Sequence, residues 1–245
     1  IVNEMEPIGE DGFFGLYLPK KVYKKYVLET TYEDGSTVTL ADPYSFQPQI
    51  SDMDIYLFAE GNHYQIYERL GAHPMKIDGV EGTYFAVWAP NARRVSVVGD
   101  FNMWDGSLHP MNMMGPSGIH ELFIPGVKPG AVYKFQILTR FDELIYKADP
   151  YGNCCQFRPD NASVVADLNQ YKWKDTKWME NRRQQSRSDA LREPMSIYEM
   201  HLGSWKKAVE DSDNGLSGAG SDGSRLCKGN GIYTHRADGN CRVSV

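Results

Sequence analysis

The chain has 245 residues, of which 41% are hydrophobic and 12% aromatic, and it carries a formal net charge of −6. This content is sufficient for hydrophobic cores and argues against global disorder. The acidic balance argues against nucleic acid or an anionic membrane surface as a partner, because both attract clustered lysine and arginine. No stretch approaches the roughly 18 consecutive apolar residues of a membrane span. Four cysteines and six histidines without metal-ligand spacing predict no metal site and no cofactor, and they favour a reducing, cytoplasmic setting.

The first 48 residues have β character. An apolar run at 13–18 precedes a β-rich stretch at 22–31, and the turn signal Asp34-Gly35 leads into a returning strand at 37–40. One hairpin and one strand make too small a sheet to be stable alone. We therefore expect this segment either to pack on the next part of the chain or to have its first strands before Ile1.

Two short helices are predicted next. Ser51 or Asp52 is suited to cap a helix that runs to Ala59, and a second helix is expected at Tyr64–Leu70, where Gly71 is a natural stop.

The region from Gly82 to about Val165 predicts an all-β domain. Short β-rich runs occur at 83–88, 94–98, 119–124 and 132–138, separated by glycine and proline turns. In the last run, apolar residues alternate with polar ones, so one face is buried and the other is wet. Short alternating strands at this spacing predict an immunoglobulin-like β-sandwich.

The remaining chain changes character twice. Residues from about 170 to 192 are polar and predict a solvated helix or linker, and 195–205 again has strand character. Beyond Asn214 the sequence becomes glycine-rich and loses its apolar periodicity.

The residues that could take part in catalysis do not form a recognisable catalytic motif. Carboxylates that could act as a pair occur in strand or turn contexts where solvation explains them; they are Asp100, Asp105, Glu121, Asp142, Glu143 and Glu199. There is no nucleophile triad and no phosphate-cradling glycine loop. The residues alone indicate a β-rich binding or structural module.

Several runs, in order, resemble bacterial 1,4-α-glucan branching enzymes. They are DPYSFQPQISDMDIYLFAEGNHYQIYERLGAH (42–73), FAVWAPNARRVSVVGDFNMWDG (85–106), HELFIPG (120–126), KADPYG (147–152), ASVVADL (162–168) and SIYEMHLGSW (196–205). The second run is shared with other starch- and glycogen-active enzymes and with the glycogen-binding module of AMP-activated kinase. The first and last restrict the match to branching enzymes.

The resemblance implies an all-β front part that leads into an incomplete (β/α)₈ barrel. Its divisions are 1–48, the C-terminal part of a first β-sandwich module; 49–71, a helical linker; 72–166, a family-48 carbohydrate-binding β-sandwich; 167–193, a polar helical linker; 194–214, the start of the catalytic barrel; and 215–245, an aberrant, disordered tail. The family forms α-1,6 branches by transferring α-1,4-glucan chains through a covalent glycosyl-enzyme. Its catalytic carboxylates belong to later barrel strands. We therefore assign no catalytic residue and expect this chain alone to be inactive.

The predicted glucan-binding set is Trp104, Lys134 and Asn102, of which the resemblance implies the first two. Trp104 occupies a turn and matches a sugar-stacking position of the kinase module, and Lys134 matches a glucan-contacting one. Asn102 and Asp105, beside the ring, would supply partners for the sugar hydroxyls. A second stacking tryptophan of that module has no counterpart near 143–146. The alternative for Trp104 is an apolar plug against the barrel, and Trp88, in mid-strand, is expected to be core.

The tail predicts a change of reading frame near Gly215. With permitted codons for residues 226–235, the frame one base later spells Tyr-Val-Lys-Glu-Met-Gly-Tyr-Thr-His, which resembles the family's barrel.

Three interpretations stay open at this point. The chain is the front part of a branching enzyme with α-1,4-glucan as partner and the missing barrel as packing partner, or a free-standing glycogen-binding or regulatory module, or a purely structural pair of sandwiches.

Overall fold

A computed structural model describes residues 2–9, 13–18, 26–32, 34–184 and 192, and the backbone of 197–201 and 234–238. The chain forms two compact units. The first comprises Ile1–Cys155 with Ala162–Ala166, and the second comprises Gln156–Asn161 with Asp167–Val245.

The first unit begins with two separate two-stranded antiparallel sheets. They pair β1 (Glu6–Ile8) with β2 (Phe13–Gly15), and β3 (Val27–Thr31) with β4 (Thr37–Ala41). The predicted hairpin at Asp34-Gly35 is confirmed: Asp34 Oδ1 accepts from the Ser36 backbone N–H at 2.8 Å, and Gly35 has a φ of +81° that suits glycine.

The first predicted helix is confirmed as α1 (Asp52–Ala59), capped by Ser51. The Ser51 hydroxyl accepts from the Asp54 backbone N–H at 3.1 Å, and the Asp54 carboxylate accepts in return from the Ser51 N–H at 2.9 Å. The second predicted helix is wrong, because only a 3-10 turn forms at Ile66–Glu68. Seven residues without a side-chain cap cannot sustain a helix, and Ile66 and Leu70 are instead buried in the core.

Nine further strands form the sandwich. They are β5 (Gly71–Ile77), β6 (Val80–Trp88), β7 (Ala92–Gly99), β8 (Asn112–Met113), β9 (Ile119–Pro125), β10 (Val132–Thr139), β11 (Leu144–Lys147), β12 (Cys154–Cys155) and β13 (Ser163–Val164). One sheet has the spatial order β5-β6-β9-β8. In the other, β10 pairs with β7 along one edge and with β11 and β13 along the other, and β12 pairs with β13.

The facing sides of the two sheets enclose the main core. Its buried members are Ala72, Phe85, Val87, Val95, Val97, Met111, Leu122, Ile124, Val127, Tyr133, Phe135 and Val165. The predicted β-sandwich is therefore confirmed, together with the inward direction of Tyr133 and Phe135.

The outer side of the four-stranded sheet is also covered. Residues 46–70 lie on it and form a second core with Tyr84, Ala86, Ile119 and Phe123. Glu121 fastens this cover: its carboxylate accepts from the Ile50 backbone N–H at 3.0 Å and from the Tyr84 hydroxyl at 2.7 Å. The segment predicted as a linker is thus a packed layer of the fold.

The second unit contains α2 (Thr176–Gln184) and two strands, β14 (Ile197–His201) and β15 (Thr234–Asp238), which pair in parallel. The strand expected at the barrel start forms as β14, and its role in a barrel stays a prediction. Because β15 lies within 215–245, the predicted disorder does not extend to these five residues. The side chains of Glu199 and His201, and the point of the proposed frame change, lie outside the described residues. Among the described helices, none is long and apolar enough to cross a membrane.

Candidate functional site

The candidate site is built on the loop that connects β7 to β8. The loop begins with a 3-10 turn at Asp100–Asn102 and continues through two left-handed residues, Met103 at φ 54° and Trp104 at φ 61°. The chain then returns along the edge of β7, where the Val97 N–H donates to the His109 carbonyl at 3.0 Å. Non-glycine residues seldom adopt positive φ, so a loop with two of them in succession must be held by strong local contacts.

Asn102 provides that hold. Its Oδ1 accepts from the Gly99 N–H at 2.9 Å, and its Nδ2 donates to the Val97 carbonyl at 2.9 Å and to His109 Nδ1 at 2.8 Å. The residue is only 3% exposed. The prediction of Asn102 as a sugar ligand does not fit this geometry, because the carboxamide is buried and both of its N–H groups are engaged.

The contact with Asn102 also fixes the state of His109. The Gly99 N–H requires an acceptor, which sets the direction of the Asn102 amide, so His109 Nδ1 accepts a hydrogen bond from Asn102 Nδ2 and carries no proton itself. Burial lowers the pKa of the His109 imidazole, which favours the same neutral form.

Trp104 is half-buried, and hydrogen bonds within the loop hold both its backbone and its indole ring. Its backbone N–H donates to the Gly99 carbonyl at 3.0 Å, and its indole Nε1–H donates to Asp100 Oδ1 at 2.8 Å. The neighbouring Asp105 is exposed, and hydrogen bonds from Ser107 lower the pKa of its carboxyl. The loop thus presents a fixed aromatic ring beside an ionised carboxylate.

Beneath the loop lies the outer face of the five-stranded sheet. Lys134 and Gln136 occupy alternate positions on β10 and share this face, and Lys134 is partly buried. Gly106 of the loop lies directly on Gln136: a Cβ at position 106 would fall 2.0 Å from Gln136 Oε1. The loop that carries Trp104 therefore lies, at Gly106, on the same face of the sheet as Lys134. A shared role of these residues in one binding site stays a prediction.

Two further residues of this face were missed by sequence reasoning. Tyr146 lies opposite Gln136 in the β10–β11 pairing, and its hydroxyl accepts from Gln136 Nε2 at 2.9 Å. The alternation along β10 already placed Gln136 on the wet face. Tyr146 was missed because the four residues of β11 were not recognised as a strand.

The prediction that Trp88 belongs to the core is wrong. Its side chain is 51% exposed, with the indole N–H donated to the Ser117 carbonyl at 3.2 Å and an edge contact to Phe58 at 5.6 Å between centroids. The ring lies at the margin of the cover formed by residues 46–70, which ends beside it.

Of the candidate carboxylates whose side chains the structure describes, three have separate structural partners. Asp100 accepts from the Trp104 indole, Glu121 fastens the cover of the four-stranded sheet, and Asp142 pairs with Arg93. Within the described residues, no group of three or more His, Cys, Asp or Glu side chains could hold a metal ion. The arrangement can present an aromatic ring with polar neighbours to a ligand, and the chemistry it supports is binding.

Residues 69–152 match the family model described as Carbohydrate-binding module 48 (Isoamylase N-terminal domain). The sandwich that carries the Trp104 loop is thus a family-48 carbohydrate-binding module.

Comparison with curated proteins extends the match to most of the chain. The chain is 50% identical over 216 residues to a 1,4-alpha-glucan branching enzyme GlgB of Thermosynechococcus vestitus, which covers 87% of the chain and 28% of that relative. It is 50% identical over 212 residues to the GlgB of Rubrobacter xylanophilus, with 86% and 28% covered. The chain corresponds to the N-terminal part of a 1,4-alpha-glucan branching enzyme, and it spans about 28% of these relatives' length.

Among solved structures, a Klebsiella pneumoniae pullulanase complexed with maltotriose aligns with a TM-score of 0.40 and 25% identity. The alignment covers 58% of this chain and 14% of the pullulanase chain.

Proposed function

We propose that the sandwich binds α-1,4-glucan chains on the outer face of its five-stranded sheet, with Trp104 as the stacking ring and Lys134 beside it. The observation that carries the proposal is the fixed ring. Both N–H groups of Trp104 are engaged within the loop, so the ring loses little conformational entropy when a sugar stacks on it. The C–H face of a glucose ring suits an aromatic plane, and its hydroxyls suit a polar rim.

Asp105 and Lys134 are the polar partners that fit this arrangement. The exposed Asp105 carboxylate can accept from sugar hydroxyls, and the Lys134 ammonium can donate to sugar oxygens. Asn102 is not among the proposed sugar ligands, because its side chain anchors the loop.

The module would serve a branching enzyme of glycogen biosynthesis, in a cytoplasmic setting, with the catalytic barrel as its packing partner. The presence of β14, which has the sequence IYEMH within the run SIYEMHLGSW that resembles the family's first barrel strand, favours this interpretation over a free-standing regulatory module. Such a module has no use for a barrel strand.

Electrophoresis in native gels with and without glycogen tests the proposal. Trp104→Ala should lose about 1–2 kcal/mol of binding, or roughly 5- to 30-fold in affinity, while Lys134→Ala should lose less because water competes for an ammonium hydrogen bond. Trp173→Ala is the matched control, since this tryptophan is 76% exposed and lies in the second unit.

The outcome separates binding from packing. Equal retardation of wild type and folded Trp104→Ala, together with a lowered melting temperature, would identify Trp104 as an apolar plug and leave the purely structural interpretation.

A further inference from the structure

Two neighbouring cysteines form the whole of strand β12. Both thiols are free; Cys154 is half-buried and Cys155 is exposed. β12 lies at the end of the sheet order β11-β10-β13-β12, where it pairs with β13, which also has two residues. A short strand at the edge of a sheet is held by few contacts, so it opens at a low cost in free energy. A chemical change at these thiols therefore acts on a strand that is easily detached.

The positions of the two thiols suit the two steps of a reaction with peroxide. An exposed thiol meets a dissolved oxidant first, and a second thiol close by converts the product to a disulfide before it is oxidised further. Cys155 has the exposed position. The Cys154 Sγ lies 4.0 Å from the Cys155 carbonyl oxygen, so the half-buried thiol is turned towards the residue that reacts first.

An extended strand cannot contain a disulfide between adjacent residues. Successive side chains of a strand point to opposite faces of the sheet, and adjacent Cα atoms lie about 3.8 Å apart, below the range of about 4.4–6.8 Å usual for disulfides. Formation of the bond therefore requires β12 to leave its pairing with β13. Strained, exposed disulfides are readily reduced, so such a bond is suited to a reversible change rather than to a structural crosslink.

We propose that Cys154 and Cys155 are a peroxide-sensitive dithiol, which forms a disulfide and detaches β12 from β13 when it is oxidised. The Cys155 thiolate attacks one oxygen of a hydroperoxide, the O–O bond breaks, and an alcohol leaves with a proton while Cys155 becomes a sulfenic acid. The Cys154 sulfur then displaces hydroxide from the sulfenic sulfur; the S–S bond forms, and the hydroxide leaves as water with the Cys154 proton. Two electrons pass from the thiols to the peroxide, and a dithiol reductant reverses the change. The inference does not depend on glucan binding.

The contacts of β13 indicate how far the change extends. Val164 pairs with Cys154 on one side and with Val132 of β10 on the other. The buried Ser163 accepts, through its hydroxyl, from the Asp149 backbone N–H at 2.8 Å. These inner contacts do not involve β12, so β13 should stay in place when β12 leaves. Oxidation should open one edge of the sheet and leave the core intact.

The experiment treats the chain with an equimolar amount of tert-butyl hydroperoxide, in a background in which Cys227→Ser and Cys241→Ser remove the other two cysteines. Alkylation with iodoacetamide and mass spectrometry then identify the state of each thiol. The peptide with both cysteines should lose two hydrogen atoms and both alkylation sites, and dithiothreitol should restore them. Backbone hydrogen exchange at 153–156 should become faster in the oxidised chain, while exchange at 132–139 should not change.

Cys154→Ser and Cys155→Ser in the same background are the matched controls. Without Cys154, the Cys155 sulfenic acid has no adjacent thiol, so it should be trapped by dimedone or gain further oxygen atoms. Without Cys155, the half-buried Cys154 should keep its alkylation site for longer than Cys155 does in the other variant. Neither variant should show faster exchange at 153–156 after treatment with peroxide.

Three results would contradict the inference. Oxygen gain at Cys155 with Cys154 still open to alkylation would show that the second thiol does not react with the first. A disulfide-linked pair of chains would show that Cys155 reacts with another molecule instead. A disulfide within one chain, without faster exchange at 153–156, would show that β12 stays paired.

Discussion

Replacement of Asn102 by alanine should destabilise the sandwich by about 2–6 kcal/mol, because it removes the partner of two buried backbone groups. The Gly99 N–H and the Val97 carbonyl each bond the Asn102 side chain at 2.9 Å. A buried polar group left without a partner costs about 1–3 kcal/mol, and these two groups give the stated range. The partly exposed His109 can bond water and adds little.

The measurement is urea unfolding monitored by tryptophan fluorescence. Stability is compared through the urea concentration at the midpoint of unfolding, provided that the m-value is unchanged. Asn112→Ala is the control, because Asn112 lies exposed on β8 and such changes usually stay within about 0.5 kcal/mol of wild type. Maltoheptaose affinity should also fall in Asn102→Ala, since the two left-handed residues lose their anchor. A stability equal to that of Asn112→Ala would refute the assignment of Asn102 as an anchor.

Three other predictions concern the fold, its pH dependence and the gene. Glu121→Ala should cost about 2–4 kcal/mol and increase binding of a hydrophobic dye, because the Ile50 N–H and the Tyr84 hydroxyl lose their buried acceptor; an unchanged dye signal would contradict the role of Glu121 in fastening the cover. Burial lowers the pKa of His109 in the folded chain, so its contribution to stability should be constant above about pH 6.5 and decrease as pH falls below that value towards the folded-state pKa. Asn102→Asp should reduce this acid dependence by favouring protonated His109. An identical slope of unfolding free energy against pH in wild type and variant would contradict this expectation. The purified chain should produce no α-1,6 linkages from amylose, and its coding DNA should carry an insertion or deletion near codon 215; new branches, or early stops in the neighbouring frame, would overturn these two expectations.

The parts of the fold that sequence could predict are those with local signals. The capping pair Ser51 and Asp54 marks the start of α1, and alternation along β10 marks its buried face. Both depend on residues within a few positions of one another, so the sequence contains the whole pattern.

The failures depend on contacts between distant segments. Trp88 shares a sheet face with the buried Tyr84, and nothing local reveals that the cover of that face ends beside it. Asn102 has the polar side chain expected of a sugar ligand and lies close in sequence to the aromatic Trp104. Its burial results from the way the loop folds back so that Gly99 and Val97 point towards it, which no local pattern encodes.

The cover of the four-stranded sheet determines where the module can be cut from its neighbours. The family match begins at residue 69, yet Phe46, Ile50, Ile55, Phe58 and Ile66 lie upstream and pack on Tyr84 and Phe123. A shortened chain that starts at residue 69 would retain every strand of the sandwich and expose an entire apolar sheet surface, which favours self-association and precipitation. One that starts near residue 42 keeps the surface covered and should stay monodisperse. The unit that can be moved intact into another protein therefore begins more than two dozen residues before the family match does.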